Sequence, residues 1–137
     1  MSNFPRLAML GTALLGVALI LPAGANAIEL SGAWTTEADL CGRVFTKKGR
    51  GIGFAELSDL IDSGFIIEGN LLRGKSSRCT ITSKKQDGDN LELGASCAAS
   101  VMNQKLRFSL KVIDDNNLAR QFPDIPGVTL KYKRCAL

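Results

Sequence analysis

Residues 105–113, KLRFSLKVI, alternate strictly: Leu106, Phe108, Leu110 and Val112 fall on one face and Arg107, Ser109 and Lys111 on the other. Period-two alternation of this kind predicts an antiparallel strand with one face buried and one in water. Similar short runs recur along the chain. LSGAWTT (Leu30 to Thr36) reads as a first strand, CGRVFTKK (Cys41 to Lys48) as a second, and GRGIG as the turn after it. GFIIEGNLLRG (Gly64 to Gly74) reads as one strand bent near Gly69-Asn70, and CTITSKK and LELGASC flank the turn residues DGDN. DDNN (Asp114 to Asn117) turns the chain into LARQF, and the two prolines of FPDIPG (Phe122 to Gly127) forbid a central strand there. The last strand is VTLKYKRC, with Val128, Leu130 and Tyr132 on one face. Only FAELSDLID (Phe54 to Asp62) departs from the pattern, because Phe54, Leu57, Leu60 and Ile61 lie at helical spacing and predict one short helix. The fold class that follows is all-β, a small antiparallel up-and-down barrel of about eight strands. Closure is favoured over an open sheet, which would leave the first and last strands as exposed edges.

The start of the chain has a different character. Arg6 is followed by the uncharged LAMLGTALLGVALILPAG, and Ala25-Asn26-Ala27 supplies small residues before a cut, the pattern of a cleaved secretory signal over residues 1–27. Residues 28–137 then form a single domain of the periplasm or cell exterior, with no integral membrane segment once the signal is removed. The chain carries 17 Lys and Arg against 13 Asp and Glu, a net charge of +4 that loses one unit with Arg6. A nucleic-acid-binding domain concentrates more positive charge than this, so nucleic acid is not an expected partner.

Four cysteines, Cys41, Cys79, Cys97 and Cys135, all lie beyond the signal, and an even number in an exported chain implies disulfides. The chain has no histidine and no close Cys-x-x-Cys pair, so no zinc site is expected. Asp87, Asp89, Asn90 and Glu92 lack the spacing of a calcium loop, and Asp and Gly are what a tight hairpin needs anyway. If the hairpin centres on Gly88, Cys79 faces Cys97, Ile81 faces Ala95 and Ser83 faces Leu93. Facing residues of an antiparallel pair lie within disulfide reach, which predicts Cys79–Cys97 and leaves Cys41–Cys135.

Catalysis has little to build on. Without histidine there is no Ser-His-Asp or Cys-His nucleophile. The carboxylate pairs Asp59/Asp62 and Asp114/Asp115 sit beside turns or on a surface helix, and GRGIG lacks the lysine and hydroxyl residue of a phosphate loop. No enzyme activity, cofactor or metal is expected.

Gly32-Ala33-Trp34 at the start of the first strand, followed by a meander and a basic last strand, resembles the lipocalin-like (calycin) barrels. The resemblance implies a Gly-x-Trp that closes one end of the barrel, with a basic residue of the last strand over the indole. Arg134 is the counterpart here and Arg120 the other candidate. Within that superfamily the ELSGAW segment and the chain length are similar to those of small periplasmic inhibitors of bacterial metalloproteases, which insert an extended N-terminal arm into the protease cleft and carry one disulfide. Here only Ile28, Glu29 and Leu30 precede Ser31 in the mature chain, and there are cysteines for two bridges, so no inhibitory residue is carried over.

Two binding functions follow. One is a module for a protein partner, an inhibitor or envelope adapter, using the basic side formed by Arg43, Lys47, Lys48, Arg50, Arg73 and Lys75 on a filled barrel. The other is a carrier of a lipid or small apolar ligand in the barrel interior, lined by Phe65, Ile67, Phe108, Leu110 and Leu130.

Overall fold

A computed structural model describes residues 27–56 and 64–137. The expected signal up to residue 26, and residues 57–62 of the expected helix, lie outside the described residues; Ala27 is described, and it is exposed. Strands β1 (Gly32–Thr35), β4 (Gly64–Glu68), β5 (Leu71–Arg73), β6 (Arg78–Asp87), β7 (Asn90–Ala99), β8 (Met102–Asp114), β9 (Asn117–Gln121) and β10 (Thr129–Arg134) form a closed antiparallel barrel. Neighbours in sequence are neighbours in space from β4 to β10, and β1 joins β10 to β4. Strands β2 (Phe45–Lys48) and β3 (Gly51–Phe54) make a separate hairpin between β1 and β4, outside the barrel wall.

That hairpin corrects three expectations. Cys41 to Lys48 is not one strand: a 3-10 turn at Ala38–Leu40 runs into a helical turn, α1 (Cys41–Val44), before β2 begins. Val44 and Phe45 are both buried although adjacent, which a two-residue period cannot achieve and a change from helical to extended backbone can. The GRGIG turn shrinks to Gly49, at φ +62°, and Arg50, while Gly51–Phe54 pairs with Lys48, Lys47, Thr46 and Phe45. Phe54 is thus the end of a strand, its ring 5.6 Å from that of Phe45. Likewise, the bent strand at Gly69-Asn70 is two strands, because Gly69 at φ +59° lets the chain reverse and pair Glu68 with Leu71.

Inside the barrel, Trp34, Ile67, Leu91, Leu93, Leu110, Leu118 and Tyr132 form the main core, and Ile28 and Leu30 are buried against it. A second cluster joins Ala33, Val44, Phe45, Ile66 and Cys135 between the barrel wall and the β2–β3 hairpin. β1 and β4 are therefore covered on both faces, which is why their sequences show apolar runs rather than alternation.

The β6–β7 hairpin pairs Cys79 with Cys97 and Ile81 with Ala95, then slips by one residue at a bulge, so that Ser83 faces Gly94 and not Leu93. The reversal is Gly88-Asp89, with Asp87 opposite Asn90 and Gly88 at φ +58°. Gly94 suits the bulge because a Cβ there would lie 2.3 Å from the Ser83 Oγ. Both disulfides are formed, Cys79–Cys97 within the hairpin and Cys41–Cys135 across 94 residues. At the β8–β9 turn Asn117 Nδ2 and the Asn116 N–H both donate to the Asp114 carboxylate, which holds its pKa below the ordinary carboxylate value.

The seam between β1 and β10 is the shortest in the barrel, with only Trp34 opposite Arg134 and Thr35 opposite Lys133. Three further links hold it: the Cys135 N–H donates to the Ala33 carbonyl at 2.8 Å, the Cys41–Cys135 bridge ties α1 to the residue after β10, and Arg134 spans the end. Toward the other end β1 has stopped, and Thr129, Leu130 and Lys131 are all exposed. Leu130, expected inside the barrel, is 39% exposed for this reason.

Candidate functional site

The two ends of the barrel are built differently. At the end formed by the β4–β5, β6–β7 and β8–β9 turns, the Arg134 guanidinium lies 4.3 Å from the centre of the Trp34 ring. It donates to the carbonyls of Glu29 and Ser31, and its Nε and Nη2 reach the Asp115 carbonyl at 3.0 and 2.9 Å. The Trp34 Nε1–H donates to the Leu30 carbonyl at 2.9 Å. Lys84 Nζ donates to the Ile28 carbonyl, and the Ile28 N–H to Gln86. Gly32 is at φ +141°, and a Cβ there would come within 3.1 Å of Arg134 Nη1. Glycine at this position therefore lets the arginine close down over the indole. Residues 28–31 and Arg134 together seal this end.

Among the described residues the opposite end has no such plug. A cavity of ≈ 330 Å³ runs into the barrel there, with Ile67, Leu93, Leu110 and Tyr132 deep in it and Leu72, Leu106 and Phe108 nearer the mouth. The Phe65 ring meets Tyr132 edge-on at 4.9 Å and stacks toward Trp34 at 6.4 Å, so the cavity floor continues into the sealed core. The Cys79–Cys97 bridge forms part of the wall. Gly64, Gly74, Ser77 and Gln104 edge the opening. Gly64 has a structural reason of its own, since a Cβ would lie 2.6 Å from the Phe45 ring and 2.9 Å from the Trp34 carbonyl.

Among the described residues one charged residue lines this cavity. Arg120, half-buried on β9, has its guanidinium carbon 4.9 Å from the centre of the Phe108 ring and 4.8 Å from that of Phe122. It is Arg134 and not Arg120 that covers Trp34. Exposed apolar side chains also lie at this end: Val101 on the β7–β8 turn, Met102 at the start of β8, and Ile125 and Val128 before β10.

Of the expected interior residues, Phe65, Ile67, Phe108 and Leu110 line the cavity and Leu130 does not. Leu106, expected on the buried face of its strand, joins them, as do Leu72, Leu93, Gln104 and Ser77, which the sequence does not mark as lining. A signal for Arg120 was present in the sequence, because Leu118, Arg120 and Phe122 share one face of LARQF and a cation interrupts an otherwise apolar row.

The six expected basic residues are only partly brought together. Lys48, Arg73 and Lys75 line a groove of ≈ 560 Å³ between the β2–β3 hairpin and β5, with Arg78 as a fourth cation. Arg73 is engaged there, donating to Glu68 Oε1 at 2.8 Å and to the Ile52 carbonyl at 2.9 Å, and Lys75 donates to the Ala55 carbonyl at 3.1 Å. These two side chains fasten the hairpin to the barrel. Arg43 on α1, Lys47 on β2 and Arg50 in the hairpin turn are exposed and do not line the groove.

Compared with known protein families, curated proteins and solved structures, the chain finds no match. Among the described residues no helix is long and apolar enough to cross a membrane.

Proposed function

We propose that this barrel is a non-enzymatic binding module of the periplasm or cell exterior that holds one small apolar ligand in its open half. The observation that carries the reading is the ≈ 330 Å³ apolar cavity in the barrel interior. Its volume falls within the range of small-molecule sites, about 300–1,000 Å³, whereas a module acting only through its outer surface has no need of an unfilled core. A cavity of about 150 Å³ takes a benzene ring. By the same scale this one suits an acyl chain or ring system of about a dozen heavy atoms. Calycin barrels, which the Gly-x-Trp start resembles, are consistent with this use of the interior.

Leu106, half-buried at the mouth, offers the test. Titration of the oxidised protein with 1-decanol, followed by calorimetry, is expected to give saturable one-to-one binding. In Leu106→Trp the indole occupies part of the cavity, and each methylene kept out forfeits about 0.8 kcal/mol, so losing two or three weakens binding about tenfold or more. A folded Leu106→Trp protein with unchanged decanol affinity would remove the interior site.

The groove lined by Lys48, Arg73, Lys75 and Arg78 favours a second reading, a protein partner that presents an acidic segment. A polyglutamate peptide is expected to bind at low salt and to lose binding in Lys48→Glu/Arg78→Glu; equal retention by the double variant counts against this surface. Protease inhibition through an N-terminal arm is the less supported form of it, because Ile28 and Leu30 are buried against the core and the segment seals the barrel.

A further inference from the structure

We infer that the ligand of the open half is an amphiphile with a single carboxylate head, the head held by Arg120 at the mouth and the chain lying against Ile67, Leu93 and Leu110. The inference rests on the interior-binding reading and names the chemistry of its ligand. Among the described residues that line the cavity Arg120 is the only charged one, and none of them is a carboxylate. Among the described residues the one ion pair is Arg73–Glu68, and the Arg120 guanidinium makes no hydrogen bond to any of them. Its partners are instead the Phe108 and Phe122 rings, at 4.9 and 4.8 Å.

Aromatic rings favour the cation and hold it in place, but they accept none of its N–H groups. None of the five donors thus finds an acceptor among the described residues at the rim of an apolar cavity. A guanidinium presents those donors as a planar fork that matches a carboxylate with two parallel hydrogen bonds. The neighbouring polar groups at the mouth, Ser77 and Gln104, are neutral. One cation and neutral neighbours suit a head with one negative charge better than a dianionic phosphate. The cost of removing an unpaired guanidinium from water also explains why it stays at the rim and does not turn into the core.

The matched probes are decanoate, 1-decanol and decyltrimethylammonium, which share a chain length and differ in head charge. With the oxidised wild-type protein, calorimetry is expected to rank decanoate first, about tenfold or more tighter than decanol, the factor an ordinary charge-assisted hydrogen bond carries. The ammonium compound is expected to bind weakest. Arg120→Met keeps the stem between the two rings and should bring decanoate down to the decanol affinity, while Arg120→Lys, a point charge without the fork, keeps part of the preference. Equal affinity of wild type for decanoate and decanol, or a decanoate preference that survives in Arg120→Met, overturns the carboxylate inference and leaves the interior site standing. Binding of none of the three overturns the interior site itself. The wild-type ranking needs no variant and so reads out even if Arg120→Met folds poorly.

Discussion

Replacing Cys41 and Cys135 together with alanine is expected to lower the stability of the barrel by about 4 kcal/mol, since the bridge closes most of the chain and the chain-entropy term grows with loop length. For a domain of this size each kcal/mol moves the midpoint of thermal unfolding by about 4–8 °C. The same change at Cys79 and Cys97, which closes only 18 residues, is expected to cost about 1.5 kcal/mol less. The difference in site reinforces the difference in loop. Cys79 and Cys97 already sit opposite each other in a long hairpin, whereas Cys41–Cys135 supports the two-pair seam between β1 and β10. Urea unfolding of the two double variants gives the comparison directly. A larger loss from the hairpin bridge would mean that the seam does not depend on its disulfide. Hydrogen exchange should agree, with the backbone amide at position 135, which in the native chain donates to Ala33, losing protection first in the seam variant.

The second large effect is expected at Arg134. Its guanidinium is the donor for the carbonyls of Glu29, Ser31 and Asp115 and lies over Trp34. Hydrogen bonds to a charged group contribute about 1.5–3 kcal/mol each when desolvated and less at a partly wet rim such as this one. Arg134→Met, which keeps the apolar stem, is therefore expected to cost about 3 kcal/mol in all. Arg134→Lys should recover only part, because one ammonium cannot serve three carbonyls set around a planar fork. The effect reaches beyond stability. Residues 28–31 are held by Arg134, Lys84 and Gln86, so proteolysis near Glu29 should accelerate in Arg134→Met. A variant as stable and as resistant as wild type would show that the sealed end is held by Trp34 packing alone.

The parts of this fold that could be seen in the sequence are those where one face of a strand meets the core and the other meets water. Leu106, Phe108, Leu110 and Val112 alternate with polar residues because β8 has one buried face, and all four point inward. The cysteine pairing was accessible for a similar reason, since a hairpin relates positions by arithmetic. It survived an error of one residue at the turn only because the bulge after Ile81 offsets it. Where both faces are covered, the signal disappears. β1, β4 and the β2–β3 hairpin bury Ala33, Ile66, Val44 and Phe45 against one another, and no alternation marks them. The basic residues were grouped by nearness in sequence, but the hairpin leaves the barrel and carries Lys47 and Arg50 away from Arg73.

The cavity belongs to neither category. Whether inward side chains meet in the middle depends on strand tilt and on side-chain volume around the whole barrel, which no local pattern encodes. Here the deep half is filled by Trp34, Leu91, Leu118 and the docked Ile28 and Leu30. The other half is lined by side chains that do not meet, and at its mouth Arg120 has no acidic partner among the described residues. The sealed end closes the barrel, and the open end is where the proposed site lies.

The most direct test of that division is a methyl NMR titration of the oxidised protein with decanoate. Saturable shifts are predicted at Ile67, Leu72, Leu93, Leu106 and Leu110, with Val44, Ile52 and Leu137 unmoved. Shifts confined to outward-facing methyls, or none at all at ligand excess, would contradict a binding site inside the barrel.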